Sequence, residues 1–316
     1  MIARSQNAIS VRRKIEALGT SVSLPTARRA LGLLEGDHPS NRRFGSDDVM
    51  DIREYTPSDE ARLIDWKTSA RFGRPMVVQR ERMVSSHTWL LMDVGLPMTA
   101  DCAQGEQAFE VAANAMCMFA SLSLRRSDDV SLVFADAQRI TRMPFHGGLA
   151  QFESAIDKAL ERQWQAQRNI EALLEYACRI KDRHALIVIA TDEHALKDKH
   201  VSTLRKLAQS HPVVCINVAT LNPLDPQYHG AIADGTSGRR VPAFLKSKDA
   251  KLDVTTHREY AAASWQRELS RYGAFMLRAD SSESMFAQFV RMVSRTSMAG
   301  ALRPSSVPSP VSLGGK

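Results

Sequence analysis

Three aspartates stand where chemistry in an open α/β protein would gather. Asp93 ends the apolar run of residues 89–93 (WLLMD), Asp136 follows residues 130–135 (VSLVFA), and Asp192 follows residues 185–191, the clearest strand in the chain. Ligands collect beyond the carboxyl ends of parallel strands. Two or three carboxylates converging there suit a hard divalent cation such as magnesium, which takes oxygen ligands. Strand-end aspartates also cap helices or bond loop amides, and that is the expected role of Asp136.

Other chemistries lack their residues. No GxxxxGK[ST] loop is present to cradle a triphosphate, and no GxGxxG follows the first strand, where Gly95 stands alone. His146, Gly147 and Gly148 are similar to an esterase oxyanion loop, but no GxSxG elbow supplies a nucleophile. None of the nine histidines forms an HExxH pair. Asp51, Asp65 and Lys67 have the types of a carboxylate–lysine nuclease site, at a spacing common by chance. Four cysteines (Cys102, Cys117, Cys178 and Cys215) lie far apart without a CxxC pair, which excludes a zinc knuckle and a disulfide framework. Free thiols of this kind are expected in a reducing compartment, the cytoplasm. The expectation is a protein that is not an enzyme.

The densest chemistry lies in residues 42–81. Arg53, Glu54, Asp59, Arg62, Asp65 and Arg71 interleave around Tyr55, Pro57 and Trp66. Arginine forks clamp carboxylates bidentately, and a tryptophan among them would cover the pairs. The expected structure is a rigid ion-paired knot packed on the main domain, serving interaction or its own fold.

The elements that position these residues alternate strand and helix from residue 88 onward. Strands are expected at 89–93, 130–135, 185–191, 213–218 and 274–277, with an edge strand at 139–143. Helices are expected behind Asp101 (an N-cap with Gln104 three residues on) and over 149–163, 169–181, 201–209, 256–271 and 282–294. Continuous apolar strands joined by helices predict an α/β fold with a mostly parallel sheet covered on both faces, Rossmann-like in winding. A hairpin is expected around residues 234–238, between 231–233 and 240–244, and a disordered tail from Ala299.

The chain has 316 residues, 44% of them hydrophobic and 24% charged, the mix of an ordinary globule. No apolar run approaches the ~20 residues of a membrane span, and no secretory leader is apparent in residues 1–20. Of the net charge of +7, five come from residues 1–45, which hold eight basic residues against three acidic ones. A basic arm of this kind suits nucleic acid, an acidic membrane surface or an acidic protein. It lacks the aromatics that stack on bases, so nucleic acid is the less favoured partner.

Residues 51–59 (DIREYTPSD), 62–66 (RLIDW), Ala70 and Arg71, and the strand at 89–93 closely resemble the signature of the bacterial domain-of-unknown-function 58 (DUF58) family, approximately REYxPGDDxRxIDWxxxAR. Ser58 stands where the family usually has glycine, and Glu60 replaces an aspartate. The resemblance implies a von Willebrand factor A-like domain and a non-enzymatic adaptor working with a MoxR-type AAA+ ATPase and a client protein. Such domains often hold magnesium with a DxSxS loop, a threonine from a second loop and an aspartate from a third. Here Asp93 and Asp192 match the two acids, but Gly95 and Pro97 replace both serines, and the matching second loop, residues 145–148, has no threonine. The resemblance therefore implies a degenerate metal site and no required cofactor, with magnesium disfavoured. Without a metal, the repulsion between Asp93 and Asp192 needs another answer, from His194, His146 or a partner's arginine.

The organisation expected is a basic arm (1–23), a signature segment packed on the main domain (24–87), the A-like domain (88–298) and the tail (299–316). The expected function is adaptor to the ATPase; the alternatives are a nucleic-acid-binding protein using the arm and a metal-dependent hydrolase.

Overall fold

The computed structural model describes residues 6–18, 47–56, 64–82 and 87–301, apart from residues 103, 125–127, 163, 184, 229–231 and 235–236. Two compact units are present, residues 37–85 and the rest of the chain.

The larger unit is built on a six-stranded sheet. Its strands are β3 (His87–Asp93), β4 (Asp129–Ala135), β5 (Ile140–Phe145), β6 (Leu186–Asp192), β7 (Val213–Val218) and β8 (Phe275–Ala279), in the order β5-β4-β3-β6-β7-β8. Only β5 runs antiparallel; elsewhere Leu90 of β3 lies between Leu132 of β4 and Val188 of β6 in parallel register. Alternate residues of each strand enter opposite cores, Leu90 and Met92 to one side and Trp89 and Leu91 to the other. That is why the strands read as unbroken apolar runs. This is the α/β, Rossmann-like sandwich, mostly parallel and covered on both faces, that the sequence predicted.

Helix α3 (Ala108–Leu124) covers one face with α4 (Leu149–Leu160) and α8 (Ser282–Ala301); α5 (Ile170–Cys178), α6 (Val201–Ser210) and α7 (Lys248–Arg271) cover the other. Fifteen of the seventeen residues of α3 are buried. The sequence, apolar all round its helical wheel, requires cover on every side. Part of that cover comes from α1 (Gln6–Leu18), which corrects the expectation of a free basic arm. Its Val11 and Ile15 enter the core, Arg12 bonds Asn114 and Asp157, and Lys14 bonds Glu283. The basic residues Arg4, Arg28, Arg29, Arg42 and Arg43 lie outside the described residues.

Four expectations change. Asp101 is not an N-cap: it bridges Gln107, and α3 starts at Ala108, with Glu110 accepting the Gln107 amide at 2.9 Å. Helix α7 begins at Lys248 behind the cap Ser247, eight residues earlier than its periodicity indicated, because only Leu269 of its 24 residues is buried and its apolar pattern is faint. The hairpin shrinks to a bridge between Ala233 and Arg240. The closing helix runs to Ala301, three residues into the tail expected from 299; residues 302–316 lie outside the described residues.

In the smaller unit β1 (Asp47–Glu54) pairs antiparallel with β2 (Met76–Arg82), and the short helix α2 (Trp66–Phe72) lies between them in sequence. Asp65 caps α2 by accepting the Thr68 amide, and Gly73 ends it in the left-handed conformation. The buried Ser69 hydroxyl donates to the Asp65 carbonyl and accepts the Met76 amide at 2.8 Å, which ties α2 to β2. Among the described residues no helix is long and apolar enough to cross a membrane.

Candidate functional site

The order of the sheet reverses between β3 and β6, since the chain leaves β3 for β4 on one side and later returns to β6 on the other. A crevice opens beyond the carboxyl ends of strands at such a switch point. Asp93 and Asp192 are the last residues of these two neighbouring strands, each with its side chain 2% exposed. The rim thus brings together two of the three predicted aspartates.

Between them lies the guanidinium of Arg168, a residue the sequence did not single out. Its Nε donates to Asp93 Oδ2 at 2.6 Å and its Nη2 donates to Asp192 Oδ2. Asp93 also accepts the Gly95 amide (2.9 Å) and the Thr191 hydroxyl (2.8 Å); Asp192 accepts the His194 amide (2.7 Å). Burial pushes the Asp93 carboxyl above its ordinary value, against the pull of Arg168 and these donors. Burial also works against the Arg168 charge, but Asp93 and Asp192 overcome it and hold the group firmly protonated.

The repulsion between the two carboxylates is therefore answered within the chain, not by His194 or His146. His194 supplies its backbone amide, and His146 lies at the opposite edge of the sheet, 3.9 Å from Asp129 at the start of β4. Because β5 runs antiparallel, its end and residues 145–148 fall at the amino edge, with Phe145 opposite Val130. Residues 145–148 therefore cannot supply the second loop of a metal site at the carboxyl edge. Asp136 plays the expected structural role, accepting the Gln138 and Arg139 amides.

The loop carrying Arg168 is fixed by backbone bonds. The Leu96 amide donates to the Ala166 carbonyl (2.8 Å), the Ala137 amide to the Gln167 carbonyl (2.7 Å), and Asn169 caps α5 by accepting the Ala172 amide. These residues do not fit a divalent ion. The positions of both serines are Gly95 and Pro97, a charged guanidinium bridges the two acids, and among the described residues no group of three or more His, Cys, Asp or Glu is placed to hold a metal.

A second buried ion cluster adjoins the first. Glu193, with 5% of its side chain exposed, binds Arg278 Nη2 at 2.8 Å and Arg258 Nη2, and accepts the Thr220 amide at 2.9 Å. Burial raises its carboxyl, but the two arginines and the amide outweigh it, and the net result lies below the ordinary value. Beyond this cluster a cleft of about 400 Å³ opens between α7 and α8, lined by Asn222, Lys251, Arg258, Arg278 and Gln288 among others. Within these two clusters three acids are matched by three arginines.

In the signature segment Trp66 covers no ion pair among the described residues; it is 72% exposed at the start of α2, with Phe72 56% exposed at its end. Lys67, Ala70, Arg71 and Arg74 are exposed beside them, and residues 66–75 contain no acid. Arg74 pairs with Glu54 at 3.0 Å on the open surface, a contact of little energetic weight. Tyr55 is half-buried, and its amide donates to the Pro75 carbonyl. The Asp65 carboxylate is engaged in its cap, which removes it from the nuclease reading with Lys67. Asp59 and Arg62 lie outside the described residues, as do the side chains of Asp51 and Arg53.

Among solved structures the chain is similar to an aerotolerance-related membrane protein from Bacteroides fragilis, at 13% identity and a TM-score of 0.43 over 66% of this chain and 99% of that one. It is also similar to the conserved hypothetical protein BatB from Bacteroides thetaiotaomicron, at 12% identity and a TM-score of 0.42 over 67% of this chain and 99% of that one. The fold described above rests on its own strand order rather than on these. Uncharacterized proteins of Mycobacterium tuberculosis and Mycobacterium bovis are each 25% identical over 290 residues, covering 89% of this chain and 89% of theirs. The family described as "Protein of unknown function DUF58" matches residues 51–227, more than half of the sequence, and the chain belongs to that family.

Proposed function

We propose that this chain is a non-enzymatic, cytoplasmic interaction protein, an adaptor gripped by a MoxR-type AAA+ ATPase during assembly or activation of a client complex. The observation that carries the reading is the exposure of Trp66 and Phe72 on a short helix whose charged neighbours, Lys67 and Arg71, are all positive. Large aromatics are seldom left in water without a use, and tryptophan and arginine are the residues that anchor interfaces. The inward-facing partners of the same signature, Asp65 and Ser69, hold α2 in place, so the two roles divide between its faces. The rim is consistent with this reading, because its charges are engaged with one another rather than poised on a substrate.

The test is co-purification with a MoxR-type ATPase from the same cell, comparing wild type with Trp66→Ala and Arg71→Glu. Retention of the wild type and loss of both folded variants supports the reading. Equal retention of all three, or no retention at all, overturns it.

A further inference from the structure

We infer that Arg168 is a resident cation: its guanidinium stands in for a divalent metal ion between Asp93 and Asp192, and it closes the rim of the sheet to free cations. Two carboxylates, both nearly removed from water on adjacent parallel strands, cannot share a site ionised without a positive charge between them. Arg168 reaches one oxygen of each, and Thr191 adds a hydroxyl to the same Asp93 oxygen. The arrangement is that of a cation held between two acids, one of them further fixed by an alcohol, with the charge carried on a side chain.

The loop geometry excludes an oxygen ligand at position 95. A Cβ on Gly95 would lie 2.6 Å from the Arg168 Cα, 2.8 Å from its nitrogen and 2.9 Å from its Cβ. No hydroxyl-bearing side chain fits at 95 while the two loops pack in this way, and the same close approach brings Arg168 to the rim. The bonds from Leu96 to Ala166 and from Ala137 to Gln167 hold that backbone in place, and the bonds to Asp93 and Asp192 hold the guanidinium.

The inference stands apart from any ATPase partner and is tested on the full chain with manganese, followed by calorimetry and by the electron paramagnetic resonance signal of the free ion. Wild type and Arg168→Lys are expected to show no saturable binding at millimolar manganese. Arg168→Ala, which leaves two acids and a hydroxyl around a vacated space, is expected to gain affinity by on the order of tenfold or more. That gain should vanish in Arg168→Ala combined with Asp93→Asn. Arg168→Gln, neutral and close in length, serves if the alanine variant does not fold; it should bind manganese more tightly than wild type. Saturable binding by wild type that Asp93→Asn abolishes overturns the inference, as does a folded neutral variant with no gain.

Discussion

Gly95 and Arg168 approach so closely that the first leaves no room for a side chain: a Cβ at position 95 would sit 2.6 Å from the Arg168 Cα. The backbone of Gly95 is at φ −65°, so the requirement is for space and not for an unusual conformation. Gly95→Ala is expected to destabilise the protein by about 1–3 kcal/mol, the usual cost of forcing atoms into a packed site. Urea denaturation checks it. A change below a few tenths of a kcal/mol would show that the loop shifts freely and that Arg168 is not held as described.

Glu193 sets a pH dependence. Its folded carboxyl lies below the ordinary value, whereas in the unfolded chain it titrates near about 4.3. A depressed group contributes stability that is complete above the unfolded value and is lost as pH falls through the folded one. Glu193→Gln, which leaves Arg258 and Arg278 without their shared counter-charge, should cost about 2–3 kcal/mol at neutral pH. The gap between variant and wild type should hold between about pH 7 and 5 and narrow in stronger acid. Denaturation midpoints across that range give the answer.

How much of this was legible in the sequence differs between the strands and the rim. Each core strand was readable because both faces are buried, which forces unbroken apolar runs such as residues 186–190. Asp93 and Asp192 were readable because they end those runs. Arg168, Arg258 and Arg278 were not, since an arginine in a loop, on a half-exposed helix or near a strand end looks the same before the fold brings it to an acid. Gly95 offered the one available signal, a residue without a side chain in a loop where oxygen ligands were expected. The position of α1 was hidden by its charges: Arg12 and Lys14 read as a free basic surface, although their partners Asp157 and Glu283 lie more than a hundred residues away in sequence.

Thiol chemistry separates the four cysteines. Burial pushes Cys102 and Cys215 up to about 12, and Cys117 is also buried, whereas Cys178 is exposed. A thiol reagent at neutral pH should modify one cysteine per native chain, at Cys178, and the remaining three only on unfolding. Mass spectrometry of the modified peptides identifies the site. Rapid native labelling of Cys102 would show that its loop opens.

Asp65→Ala removes the cap of α2 and should cost about 1 kcal/mol, confined to that helix and its strand. Hydrogen exchange should show faster exchange at Thr68 and its neighbours with the large sheet unaffected. This variant also separates folding from binding: its effect on a partner should follow the loss of helix order, whereas Trp66→Ala should leave exchange unchanged.

In the proposed adaptor role the chain is held through the aromatic, basic face of α2 and does not transform a substrate. A calorimetric titration of the intact protein with a purified MoxR-type ATPase, in parallel with Trp66→Ala, tests that role. Saturable binding by wild type is expected, weakened by on the order of tenfold or more in the variant, the scale of an interface anchor. Absence of binding by wild type, or equal affinity of the two proteins, overturns the role.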